Sequence, residues 1–118
     1  MELKKLKEIE EFSPKAFVRK RIFETTNMHF NVYCIAPGQR NPLHGHPRTD
    51  EVLYFVEGVG EVLGGMDGKE KLSAKAGDVV LWVENEPHAV INTGKENMIC
   101  ILAQAPLPVE HVPLGEKH

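Results

Sequence analysis

Two histidines one residue apart, His44-Gly45-His46, are followed by Glu51, and a further histidine, His88, opens a later apolar run. Imidazole nitrogen and carboxylate oxygen form a borderline donor set. It suits Fe(II), Mn(II), Ni(II), Co(II), Cu(II) or Zn(II) and suits Ca(II) poorly. In an extended strand residues two apart share a face, so His44 and His46 project together. Pro47-Arg48-Thr49-Asp50 reads as a turn that returns Glu51, at the start of the next strand, beside both imidazoles. His88, which follows the turn Asn85-Glu86-Pro87, is the fourth ligand candidate. Four protein donors leave one or two positions of an octahedral ion for water or substrate, as in a working metal site more than a closed structural one.

Short strands must bring those donors together, and the rest of the chain reads that way. Its 118 residues suffice for one hydrophobic core, and 14 basic against 17 acidic side chains give a net charge of −3. There is no basic stripe, so nucleic acid is not an expected partner. Neither the apolar run of a signal peptide nor one of membrane-spanning length is present, so no membrane partner is expected either. Cys34 and Cys100 both lie in apolar runs and read as packed thiols, which points to a cytoplasmic protein.

Apolar runs rich in β-branched and aromatic residues recur at 17–23, 30–35, 51–56, 79–83, 89–91 and 98–103, with glycine and asparagine turns between them. That spacing predicts a single all-β domain of sandwich or barrel type. Segment 1–16, with Leu3, Leu6, Ile9 and Phe12 among charges, is a peripheral helix or edge strand. Residues 17–105 carry the barrel, and 106–118, punctuated by prolines, form a peripheral tail. The run 51–56 is apolar on both faces, so a homodimer is expected to cover the outer one. His29, His111 and His118 read as surface residues, and Tyr33, Cys34 and Trp82 as core.

The spacing Gly38, five residues, His44-Gly45-His46, four residues, Glu51, six residues, Gly58 resembles the first motif of the cupins. The second cupin motif is matched at Gly77, His88 and Asn92, with Val83 where proline is usual and Asn85 where glycine is usual. Asparagine tolerates left-handed backbone angles, so the turn at Asn85 is expected to survive. The resemblance implies a cupin-type jelly-roll β-barrel, usually dimeric. It also implies one divalent transition metal ion held by His44, His46, Glu51 and His88. Same-face parity adds Arg40, Leu53, Phe55 and Val90 as pocket walls, and Asn92, which has the parity of His88, joins them as a pocket candidate. The function expected is that of a metal-dependent enzyme acting on a small organic molecule, with a dioxygenase-like oxidoreductase using Fe(II) or Mn(II) favoured. The alternatives are a non-catalytic binding protein and a sugar isomerase or epimerase. For the isomerase, no acid–base pair is visible beyond the ligands.

Overall fold

The computed structural model describes residues 1–115, and His118 lies outside the described residues. A short helix α1 (Leu6–Ile9) precedes β1 (Val18–Glu24), β2 (His29–Ile35), β3 (Arg40–Gly45), β4 (Asp50–Glu57) and β5 (Val59–Gly64). The chain continues through β6 (Glu70–Lys75), β7 (Val79–Trp82), β8 (His88–Ile91), β9 (Met98–Ala105) and β10 (Val112–Pro113). Two five-stranded sheets result, ordered β1-β2-β9-β4-β7 and β10-β3-β8-β5-β6, with antiparallel pairing throughout. The chain passes from one sheet to the other at every connection except β1–β2 and β5–β6. This is the all-β domain that the strand spacing predicts, wound as the jelly roll that the resemblance implies.

Period-two alternation decides what lies between the sheets. Tyr33, Ile35, Leu53, Phe55, Val62, Val90, Met98, Cys100 and Leu102 belong to the main core. The opposite face of β2 and β9 carries Val32, Cys34 and Ile99, and Leu6, Ile9 and Phe12 of the N-terminal segment pack onto it. That segment is a helical turn and not an edge strand, and Leu3 stays outside its packing, exposed. The two cysteines sit on neighbouring strands, yet Cys34 belongs to the outer cluster and Cys100 to the inner one. Opposite faces keep the thiols apart.

Two local departures from regular pairing matter for the site. A bulge in β3 falls between Asn41, which pairs with Val90, and His44, which pairs with His88. Three residues of β3 thus match two of β8, which carries Asn41 to the inner face and, by alternation, Arg40 to the outer one. The C-terminal segment, expected as a peripheral tail, also contributes β10, whose Val112 and Pro113 pair with Gly45 and His44. Asn85 adopts a left-handed conformation (φ 68°), as its place in a glycine position predicts.

Close backbone approach is required at Gly60, where a Cβ would run into the Ile91 carbonyl oxygen and the Met98 methyl group. At Gly45, between the paired histidines, the nearest atom to such a Cβ is Leu114 Cδ1 at 3.7 Å, an ordinary contact. Gly60→Ala is therefore expected to cost about 1–3 kcal/mol in urea denaturation, the range for an overpacked core. Gly45→Ala is expected to cost nothing measurable, and equal losses at the two sites would contradict this packing.

Candidate metal centre

The four expected ligands come from three places in the fold. His44 lies near the end of β3 and His46 just past it, Glu51 is the second residue of β4, and His88 opens β8. The turn between β3 and β4 contains Arg48 in a left-handed conformation (φ 62°), and the sharp reversal returns Glu51 beside the imidazoles. All four residues are at most 2% exposed.

Each imidazole is held in the same way. His44 Nδ1 lies 2.7 Å from the Pro42 carbonyl oxygen, His46 Nδ1 2.7 Å from that of Glu110, and His88 Nδ1 2.9 Å from that of Glu86. A carbonyl oxygen only accepts, so each Nδ1 must carry the proton and donate it. In a neutral ring this leaves Nε2 as a bare lone pair, the form that binds a metal. The ligand atoms available on the three rings lie within 4.8 Å of one another. With bonds of about 2.1 Å, donors on one ion stand roughly 3.0 Å apart when adjacent and roughly 4.2 Å when opposite, so the imidazoles would draw together on binding.

Glu51 completes the cluster. Its Oε1 lies 3.4 Å from His46 Nε2 and 3.6 Å from His88 Nε2, and accepts a 2.8 Å hydrogen bond from Gln104 Nε2. Burial pushes the Glu51 carboxyl pKa up, but the His46 and His88 imidazoles and the Gln104 amide outweigh burial and hold it down to about 2. Burial and the adjacent His88 push His44 down to about 3. Burial also opposes the charged form of His46, but Glu51 and the Glu110 carbonyl raise its pKa. The result is a buried anionic carboxylate facing imidazoles. Among the described residues Glu51 Oε2 and His88 Nε2 are buried without a hydrogen-bond partner. Orphaned buried acceptors are costly, and a divalent cation is the species that would satisfy both. The donor set fits a transition metal.

Among the pocket candidates, Leu53 and Phe55 follow Glu51 along the inner face of β4, and Val90 follows His88 on β8, all fully buried in the main core. Arg40 is displaced from that face because parity counting cannot see the bulge, and Asn41 takes its place. Both polar atoms of the Asn92 side chain are engaged by the backbone. Its Nδ2 donates to the carbonyls of Ile35 and Glu96, and its Oδ1 accepts from Gly94 N–H, so it pins the turn before β9. Trp82, expected in the core, is buried there with its ring stacked on His88 at 4.5 Å.

Three neighbours of the centre escape sequence reasoning. His111, read as a surface residue, is exposed, yet its ring stacks on His44 with centroids 4.6 Å apart. Glu110 beside it supplies the carbonyl that holds His46, and its carboxylate pairs with Arg48 at 2.7 Å. Gln104 touches Glu51 directly. A signal for Gln104 exists in the sequence: it ends the inward alternation Met98, Cys100, Leu102, Gln104, a polar residue at a core position.

A family model described as "Cupin domain" matches residues 31–103. A germin-like protein of Arabidopsis thaliana, subfamily 1 member 7, is 38% identical over 69 residues. That match covers 54% of this chain and 30% of the relative, so the chain spans less than a third of that relative's length. Among solved structures, TT1209 from Thermus thermophilus superposes with a TM-score of 0.84 at 28% identity, over 92% of this chain and 100% of that one. A Klebsiella pneumoniae protein with a double-stranded beta-helix domain gives a TM-score of 0.90 at 22% identity, over 98% and 99% of the two chains. The second likeness is one of fold.

Protons and metal compete for the same Nε2 lone pairs. His46, with its pKa raised above the ordinary 6.5, takes a proton before His44, which stays neutral until about 3. Affinity for Co(II), followed by titration at stepped pH, is therefore expected to be flat on the alkaline side. Once pH drops below the His46 pKa it should fall by at least about tenfold per pH unit, the slope of one displaced proton or more. A pH-independent affinity across that range would contradict the assignment of His46.

Proposed function

The chain belongs to the cupin family, and on that premise we propose that it is a metal-dependent enzyme acting on a small organic molecule, a dioxygenase-like oxidoreductase. The observation that carries the metal reading is the shared tether: three Nδ1–H groups spent on backbone carbonyls, leaving three grouped Nε2 lone pairs, with those of His46 and His88 beside one buried carboxylate. His44, His46, His88 and Glu51 would hold a divalent ion, which supplies Lewis-acid chemistry and, if it is iron or manganese, one-electron chemistry. The protein's own residues do the rest. Leu53, Phe55 and Val90 keep water from the inner side of the centre. Trp82 stacked on His88 and His111 stacked on His44 fix the planes of two ligand rings. Exposed His111 marks the side from which a small molecule reaches the centre.

We further propose that a second copy of the chain covers the outer face of β4 and β7. Val52 and Tyr54 pair across the strands with Leu81 and Val79, and all four are exposed at an edge of the sheet. The N-terminal segment covers the other half of the same sheet surface, so an apolar face continues out from beneath it. An isologous contact between two such faces needs no further partner. Leu81→Lys is expected to shift sedimentation from dimer to monomer while metal content stays unchanged; a wild-type monomer at high concentration would contradict the proposal.

The metal reading is tested by elemental analysis of protein purified without chelators, where about one transition metal per chain is expected. His46→Ala is expected to lower occupancy by at least tenfold with the barrel still folded by circular dichroism. The oxygenase reading is tested by loading Fe(II) anaerobically and following O₂ uptake with a panel of catechols, thiols, diketones and small acids. Uptake that depends on one panel member is expected. Tight retention of a panel member without uptake would favour a binding protein.

A further inference from the structure

Four polar side chains form an unbroken line across the inner face of the first sheet, one from each of four adjacent strands. Arg21 on β1 stands opposite Asn31 on β2, and Gln104 on β9 stands opposite Glu51 on β4, in the strand order β1-β2-β9-β4. Arg21 Nε donates to Asn31 Oδ1 at 2.5 Å, Asn31 Nδ2 donates to Gln104 Oε1 at 3.3 Å, and Gln104 Nε2 donates to Glu51 Oε1 at 2.8 Å. Asn31, Gln104 and Glu51 are buried, whereas Arg21 reaches solvent, where its Nη1 meets Glu24.

The two ends of this line fix its direction. A guanidinium has donors only, and an ionised carboxylate only accepts. The amides between them could each sit either way round in isolation, but only one sense satisfies every link. Arg21 claims the oxygen of Asn31, the amino group of Asn31 claims the oxygen of Gln104, and the amino group of Gln104 is left facing Glu51. Reversing either amide would set like groups against each other in a low-dielectric interior. Gln104 Nε2 also lies 3.4 Å from His46 Nε2, so one amide group touches two of the ligand candidates.

We propose that Gln104 is a positioning residue for the metal centre, oriented from the protein surface through Asn31 by Arg21. Its amide fixes the rotamer of Glu51 by holding Oε1, which leaves Oε2 directed without another partner. This rests on the metal-centre reading. Neither Arg21 nor Asn31 touches a candidate ligand, so both act at a distance through hydrogen-bond polarity alone.

Asn31→Asp tests that polarity. The substitution keeps the shape and gives Arg21 a stronger partner, but it turns an acceptor towards Gln104. The Gln104 amide must then reverse and present its oxygen to Glu51. In metal-free protein the Gln104 side-chain amide resonances are expected to shift, and with Co(II) as the probe affinity is expected to fall about tenfold with an altered visible spectrum. Arg21→Met, at the surface end, keeps the inner residues intact and is expected to change the Co(II) spectrum in the same direction, with Arg21→Lys restoring it. Folded Asn31→Asp and Arg21→Met proteins with wild-type Gln104 resonances, Co(II) affinity and spectrum would overturn the relay. Wild-type protein that takes up no Co(II) would instead overturn the metal-centre reading, and the positioning role with it.

Discussion

The tether from each imidazole Nδ1–H to a main-chain carbonyl governs the centre. Without it each ring could choose either tautomer and rotate, and three neutral imidazoles beside a carboxylate would settle into ordinary hydrogen bonds. With it, the lone pairs of His44, His46 and His88 can only face inward. The accepting carbonyls belong to Pro42, Glu86 and Glu110, in three separate stretches of chain. The site is thus set by backbone placement, which is the rigid part of a jelly roll, and side-chain packing against Trp82 and His111 refines it.

Dependence on backbone placement explains why the C-terminal segment belongs to the centre. Glu110 reaches His46 because β10 adds to the edge of β3, and because Thr49 Oγ1 donates to the Pro106 carbonyl at 2.9 Å. The Arg48–Glu110 ion pair is exposed and contributes little by itself. Its position, between the β3–β4 turn and the segment that holds His46, joins the two sides of the site. The first sheet supplies the corresponding support from the opposite side, through Gln104 and Asn31.

Much of this was legible in the sequence, and the illegible parts share a physical cause. Alternation placed His44 and His46 on one face, the Pro47–Asp50 turn brought Glu51 back to them, and Asn85 took the left-handed angle its position demanded. Alternation failed at Arg40, because a bulge shifts parity without leaving a mark in residue types. Asn92 has the right parity, yet backbone carbonyls of Ile35 and Glu96 consume its amide, contacts between segments distant or turned in ways that periodicity does not encode. His111 and Glu110 were hidden for a similar reason: a proline-rich stretch reads as tail until its pairing with β3 is known.

The central claim is that one metal ion sits at the meeting point of His44, His46, His88 and Glu51. Anomalous diffraction at the cobalt edge, from crystals grown with Co(II), tests it most directly. A single strong peak within coordination distance of the three Nε2 atoms and a Glu51 oxygen is the expected result. Peaks only at the protein surface, with the four side chains still in mutual contact, would contradict it.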